Sequence, residues 1–267
     1  MRKCYFLLIS FVIWLIFLTI SFNYIYREHC DTYEKYYEHN ITFVSPNEAY
    51  MNIINNGYVN KFNKNDMKVR NCNNIEDCKN LYKKNIISFT EKEKNILKKL
   101  VEEANIKLQK FNSFYNIPWK FAKVTNKIDN GLPHTHNDTI YLADHYFEKS
   151  SLDTIIHEKI HIYQKMYPEK TDILYKKYNY EKIERENNKN RRANPDLNDF
   201  DYKHNGKLIH SEYTENPSHL GDIKLVNSNK NSSINEHPDE YFAYTITHKI
   251  LNGFNREDDR LIDYLTI

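Results

Sequence analysis

The chain has 267 residues, which is enough for one domain of moderate size or for one domain with a small appendage. Its 38 Lys and Arg residues nearly balance its 36 Asp and Glu residues, so the formal net charge is only +2. This balance excludes the strongly basic character of nucleic-acid-binding proteins, and we expect no nucleic-acid partner.

An apolar segment lies close to the N-terminus. Residues 5–22 carry no charge, and Arg2 and Lys3 precede them. At about 1.5 Å per residue the segment covers most of a hydrocarbon core of roughly 30 Å, so residues 1–26 are predicted to form a transmembrane signal anchor. A secreted chain, released by signal cleavage, is the alternative. The positive-inside rule predicts a cytoplasmic N-terminus and a luminal or extracellular remainder.

Two further patterns agree with that location. N-glycosylation sequons begin at Asn40, Asn137 and Asn231. Cys72 and Cys78 lie close enough in the sequence to close a short disulfide loop, whereas Cys30 has no evident partner. Reduced thiols are the alternative for the cysteines.

Residues 27–43 are polar and rich in tyrosine, and we interpret them as a juxtamembrane stalk before a folded domain over residues 44–267. That domain begins with a short helix, for which Ser45 supplies the N-cap. A longer helix is predicted from Thr90 to Phe111, since Thr90 and Glu93 have capping-box spacing and apolar residues follow at helical intervals.

Two strands are predicted after this long helix. The segment WKFAKVT follows Pro118, and DTIYLAD follows a turn at Pro133. Helices and short strands of this kind predict an α+β fold with a small sheet.

The next helix carries the motif HEKIH. Ser150 or Ser151 caps it, and Pro168 marks its end. His157 and His161 are one helical turn apart, so both imidazoles can bind a single metal ion, which we expect to be Zn²⁺. Glu158 lies beside them and can take a proton from a water molecule at the open coordination position.

A catalytic zinc site usually has a third protein ligand. Glu240 is the preferred candidate because Pro238 begins a helix that places it one turn before the small Ala243. Glu181 is the alternative, although it lies in a dense run of charged residues. The other acidic or histidine candidates are Glu212, Glu215, Glu236, His237 and Asp239.

HEKIH followed much later by Glu240-x-x-Ala243 resembles the gluzincin zinc metallopeptidases, and the spacing is nearer to membrane-associated members than to thermolysin. GLPHTHNDTIYL and HEKIHIYQKMYP resemble, more loosely, zincin-like proteins of large DNA viruses and protists. The resemblance implies a zincin-like domain with zinc on His157, His161 and Glu240, and with Glu158 as general base in peptide hydrolysis. It assigns no hydrogen-bond partner to the histidines.

Three further residues are candidates for contact with the substrate or the transition state. His134 and His136 are two residues apart, so the alternation of a strand would place both on one face. This strand would lie along the cleft, where an extended substrate could pair with it. Tyr244 could donate a hydrogen bond to the transition state. The polar segments 194–202 and 215–222 are predicted to form loops around the site.

The expected function is therefore hydrolysis of peptide or protein substrates by a membrane-anchored zinc enzyme. The alternative is a membrane-tethered binding or structural protein with a zinc site that does not catalyse. Substitution of Glu158 distinguishes these two functions, because a structural zinc site does not need this residue.

Overall fold

The computed structural model describes residues 41–185, 190–226, 235–255 and 259–266, together with Thr19 and Ser21. Apart from Thr19 and Ser21, the predicted anchor lies outside these residues, as do nearly all of the predicted stalk, Cys30, Asn40 and the sequon at Asn231. No helix within the described ranges is long and apolar enough to cross a bilayer. The chain divides into a unit of residues 1–41 and a compact unit of residues 42–267.

The described fold is α+β and contains two small sheets. Its helices are α1 (Pro46–Asn55), α2 (Lys64–Val69), α3 (Ile75–Asn85), α4 (Glu91–Leu108), α5 (Asn112–Tyr115), α6 (Leu152–Met166), α7 (Pro168–Lys177), α8 (Pro238–Asn252) and α9 (Asp259–Thr266). Its strands are β1 (Ile41–Phe43), β2 (Ile86–Ile87), β3 (Trp119–Val124), β4 (His134–His136), β5 (Thr139–Ala143), β6 (Tyr180–Glu184), β7 (Phe200–His204), β8 (Lys207–Tyr213) and β9 (Ile223–Val226).

The first sheet contains both predicted strands, β3 and β5. Its order is β1-β3-β5-β4, and β2 pairs with β3 on a separate branch. β3 and β5 are parallel, with Phe121 opposite Ile140, and β4 runs antiparallel to β5, with His134 opposite Tyr141. Every residue of β5 is buried, which explains its continuous apolar run. β4 therefore lies at the edge of this sheet.

The second sheet is an antiparallel meander in the order β6-β7-β8-β9. This sheet was not predicted from the sequence, because its strands carry many charged residues and only a weak alternation of apolar ones. Asn205 and Gly206 both have positive φ between β7 and β8. An Asn-Gly pair of this kind is a strong hairpin signal. The predicted loop over residues 194–202 is correspondingly too long, since β7 begins at Phe200.

The predicted helix starts are confirmed. Ser45 and Ser151 accept hydrogen bonds from the backbone three residues on and cap α1 and α6. Thr90 and Glu93 form a complete capping box at the start of α4. Pro238 occupies the first turn of α8.

α6 packs one side into the core. The Tyr163 ring stacks on Phe114, with ring centroids 4.4 Å apart. Lys159 is fully buried on this helix, donates to the carbonyl of Ile117 at 2.5 Å and lies 3.9 Å from the centroid of the Trp119 ring. Met166, the last residue of this helix, is 45% exposed. These contacts fix the position of the helix that carries HEKIH.

The predicted disulfide is not formed. Cys72 and Cys78 are buried free thiols in the structure. Cys72 Sγ donates to the carbonyl of Arg70 at 3.7 Å. Burial raises the pKa of both thiols, which disfavours the thiolate that disulfide exchange requires. The sequon residue Asn137 is exposed between β4 and β5.

Candidate metal centre

α6 and α8 bring three potential metal ligands together. His157 and His161 lie on successive turns of α6, and their Nε2 atoms are 3.1 Å apart. Glu240, in the first turn of α8, places Oε2 at 3.5 Å from His157 Nε2 and 3.7 Å from His161 Nε2. Within the described ranges these residues are the group of His, Cys, Asp and Glu side chains that could hold a metal ion.

The separations fit a small divalent cation. A point equidistant from the three atoms would lie about 2 Å from each, which is the bond length of zinc to imidazole nitrogen and to carboxylate oxygen. The local field also favours a cation. Burial would lower the pKa of His161, but Glu240, Asp196 and Glu158 together raise it to about 9.

Gln164 fixes the orientation of His161. His161 Nδ1 donates to Gln164 Oε1 at 2.8 Å, which leaves the lone pair on Nε2, facing Glu240. The Gln164 amide in turn donates to the carbonyl of Asp239 at 2.9 Å. This role of Gln164 was not predicted from the sequence, although a side chain three residues after His161 must share its helix face.

Asn194 orients Glu240. Its Nδ2 donates to Glu240 Oε1 at 3.2 Å, so the carboxylate can present Oε2 to the two histidines. The same nitrogen lies 3.1 Å from Glu236 Oε1. Asn194 belongs to the predicted loop over residues 194–202, and the structure places this part of it at the site.

Glu158 is 3% exposed and lines the cavity beside the three ligands without joining them. Its Oε2 has no hydrogen-bond partner in the described part of the chain. Burial, followed by the negative charge of Asp196, raises the pKa of Glu158 well above its usual value. A carboxylate held in this way can accept a proton from a molecule bound in the cavity.

The cavity has a volume of about 310 Å³ and is open to solvent. This volume is at the lower end of the range for ligand sites. The Tyr244 ring packs against His157, with centroids 4.4 Å apart, and is 43% exposed. Tyr244 therefore lies at the mouth of the cavity, close to one candidate metal ligand. Leu220, from the predicted loop over residues 215–222, also lines it.

His134 and His136 share a face of β4, as predicted. Their rings are 5.2 Å apart, and both pack against Tyr141. His134 lines the cavity with Glu158 and Glu240. His136 lines a larger neighbouring cavity of about 610 Å³, where Asn56 Nδ2 lies 2.9 Å from its Nδ1. Only His134 of this pair therefore lies at the candidate metal centre.

The edge of β4 is covered. The Thr135 amide donates to Asp196 Oδ1 at 2.6 Å, and the Thr135 carbonyl accepts from Lys165 Nζ at 2.8 Å. An extended substrate that paired with this edge, as expected from the sequence, would have to displace both side chains.

The other residues proposed as a third metal ligand do not belong to the cluster of candidate ligands. Glu181 is exposed on β6 and is not among the clustered ligands. Asp239 accepts from the hydroxyl of Tyr175 and from the amide of Asn198. Glu212 binds His210 Nε2 at 2.8 Å. Of the candidates proposed from sequence, Glu240 has the position that the motif histidines require.

Comparison with known proteins gives no match: no protein-family model, curated protein or solved structure matches this chain.

Proposed function

We propose that this protein is a zinc-dependent metallopeptidase with a zincin-like catalytic domain. The observation that carries the proposal is the convergence of His157 Nε2, His161 Nε2 and Glu240 Oε2 within 4.8 Å of one another, beside a cavity lined by Glu158. Two imidazoles and one carboxylate form a ligand set typical of catalytic zinc, which keeps a further position for water or substrate.

A bound zinc ion would supply Lewis-acid activation of a water molecule and of the scissile carbonyl. The Glu158 carboxylate accepts the proton of the attacking water and passes it to the nitrogen of the leaving amine. Burial raises the pKa of this carboxyl group, which suits it to carry a proton between the two steps. Gln164 and Asn194 hold His161 and Glu240 in the orientation that leaves their ligand atoms available.

The cavity favours catalysis over a purely structural zinc site. A structural site is normally closed by four protein ligands, whereas two of the three ligands here, His157 and Glu240, line an open cavity. A structural site would also have no use for Glu158, a buried carboxylate beside the ligands with one oxygen that no described residue binds. Peptide and protein substrates are proposed from the motif resemblance.

We further propose that the catalytic domain is luminal or extracellular and is held by a single N-terminal membrane helix. The uncharged segment over residues 5–22 and the preceding Arg2 and Lys3 support this location.

The test compares hydrolysis of a mixed-sequence peptide library by the full-length wild-type protein and by Glu158→Gln. Zinc content should be the same in both, because Glu158 is not a proposed ligand, while the cleavage rate should fall by roughly 10²-fold or more. A matched control is Glu181→Gln, which should cleave like the wild type. Equal cleavage by wild type and Glu158→Gln would contradict the proposal.

A further inference from the structure

The cavity at the metal centre contains a buried carboxylate that the proposed reaction does not use. Glu236 precedes α8, is 1% exposed and lines the same cavity as Glu158 and Glu240. Its Oε1 accepts from Arg192 Nη2 at 2.5 Å and from Asn194 Nδ2 at 3.1 Å. Its Oε2 has no hydrogen-bond partner among the described residues. Because buried polar atoms are almost always paired, this oxygen is a candidate acceptor for a bound ligand.

Five other buried polar atoms of the cavity have no partner within the described residues, namely His134 Nε2, His157 Nδ1, Glu158 Oε2, Arg192 Nε and Thr247 Oγ1. His134 Nδ1 donates to the carbonyl of Leu132 at 2.8 Å, so in the neutral ring Nε2 is an acceptor. Glu236 Oε2 and His134 Nε2 are therefore acceptors without a partner among the described residues, and they suit a ligand that donates hydrogen bonds.

The charge of the cavity also favours a ligand that donates hydrogen bonds, in particular a cationic one. Six carboxylates line it, namely Asp129, Asp153, Glu158, Asp196, Glu236 and Glu240. The lining arginines are Arg70 and Arg192, and each already has a carboxylate partner, at 2.7 Å and 2.5 Å respectively. Arg192 Nε also lacks a partner in the part of the chain that the structure describes, but the excess of carboxylates makes the cavity negative, and a cationic group is favoured.

Glu236 is close to the metal cluster. A single nitrogen, Asn194 Nδ2, is within hydrogen-bond distance of both Glu236 Oε1 and Glu240 Oε1. A substrate group bound by Glu236 would therefore lie within a side-chain length of the scissile bond, which the proposed reaction places beside the candidate metal ligands.

We propose that Glu236 Oε2 accepts a hydrogen bond from a cationic nitrogen of the substrate, so that the cleft selects peptides with an ammonium or guanidinium group beside the scissile bond. This inference rests on the proposed function and makes Glu236 a specificity-determining residue. The cationic nitrogen can belong to a Lys or Arg side chain or to a free N-terminus.

The test measures ligand binding by calorimetry on the full-length Glu158→Gln protein, so that turnover does not interfere. N-acetyl-arginine amide and N-acetyl-lysine amide offer a cationic side chain, and norleucine amide offers only an α-ammonium group. N-acetyl-norleucine amide is the neutral reference, and N-acetyl-norleucine with a free carboxylate is the anionic one. At least one cationic probe should bind about tenfold more tightly than the neutral reference, and the probe that does so identifies the source of the nitrogen.

Adding Glu236→Gln should abolish this preference, because glutamine keeps the size of the side chain but loses the charge. Adding Glu181→Gln is the matched control: Glu181 is an exposed carboxylate on β6 that does not line this cavity, so its removal should change the preference by less than about threefold. Equal binding of all probes, absence of binding, tighter binding of the anionic probe, or a preference that survives Glu236→Gln would each overturn the inference.

The probe comparison alone keeps the inference testable if the Glu236→Gln protein does not fold. Failure of this inference is also distinguishable from failure of the proposed function, which would appear as missing zinc or missing hydrolysis in the wild-type protein.

Discussion

Gln164 Oε1 lies 2.8 Å from His161 Nδ1, and the amide nitrogen of the same Gln164 side chain lies 2.9 Å from the carbonyl oxygen of Asp239. The first contact selects the tautomer of His161 whose Nε2 faces Glu240. The second joins α6 to the first turn of α8. One side chain therefore orients a histidine ligand and connects the two helices that supply the ligand set.

Replacing Gln164 should weaken metal binding without abolishing it. We expect Gln164→Ala to lower the zinc affinity by about 10- to 100-fold, because His161 loses the acceptor that orients it. Competition with a zinc-chelating dye measures this change. The control is Gln109→Ala, which alters an exposed glutamine at the end of α4 and should leave the affinity unchanged. Equal affinities for the two variants would show that Gln164 has no orienting role.

A buried ion pair stabilises the floor of the cavity. Arg70 Nη2 lies 2.7 Å from Asp129 Oδ1, and the Tyr82 hydroxyl donates to Asp129 Oδ2 at 2.8 Å. Asp129→Asn should lower the free energy of unfolding by about 3 to 5 kcal/mol, because it leaves the Arg70 charge buried without this partner. Asp129 has a φ of 45°, which asparagine tolerates, so the substitution tests the charge.

Urea denaturation at neutral pH measures this loss. Asp199→Asn is the matched control, since Asp199 pairs with Lys61 at 2.6 Å on the exposed surface and should contribute less than about 1 kcal/mol. Similar losses for both substitutions would contradict the stabilising role of the buried pair.

The same pair should make the protein sensitive to acid. Burial alone would raise the pKa of Asp129, but the Arg70 charge, the His134 charge and the hydrogen bonds from Tyr82 and Arg70 hold it below its usual value. The contribution of the carboxylate to stability is therefore complete above the unfolded-state pKa of about 3.9 and is lost as pH falls through the lower folded-state pKa. Below about pH 4 the stability of Asp129→Asn should thus fall less steeply than that of the wild type. Parallel curves in pH-dependent urea denaturation would exclude this contribution.

Asp196 covers the edge of β4 and should be needed for the stability of that strand. Asp196→Ala removes the acceptor of the buried Thr135 amide, which should cost about 1 to 3 kcal/mol. Asp196→Asn keeps an acceptor oxygen and should cost less than half as much. Thermal unfolding of the two variants measures the difference, and equal losses would show that the hydrogen bond to Thr135 is not the cause.

The sequence predicts the elements whose signals are local. Caps at Ser45, Thr90 and Ser151, and apolar runs in β3 and β5, determine those elements with little help from tertiary contacts. The second sheet was missed because charged residues hide its alternation, and Asn205-Gly206 was the signal that could have indicated it.

Some residues of the candidate site could likewise be predicted from local sequence signals, and others could not. Helical spacing predicts that His157 and His161 share a face, and a proline-initiated helix favoured Glu240 over Glu181. The contacts of Asn194 and Glu236 could not be predicted, because they depend on how the segment before β7 folds back against α8. The burial of Lys159 could not be predicted either, because a charged lysine side chain is normally exposed to water. Its hydrogen bond to the carbonyl of Ile117 and its contact with the Trp119 ring explain the buried position.

The most direct test of the central claim is the zinc content of the purified full-length protein, measured by inductively coupled plasma mass spectrometry at equal protein concentration. We predict about one zinc per chain in the wild type and in Glu181→Ala, and little or none in His157→Ala and Glu240→Ala. Zinc-free wild-type protein after incubation with zinc, or zinc retained in full by Glu240→Ala, would contradict the proposed metal centre.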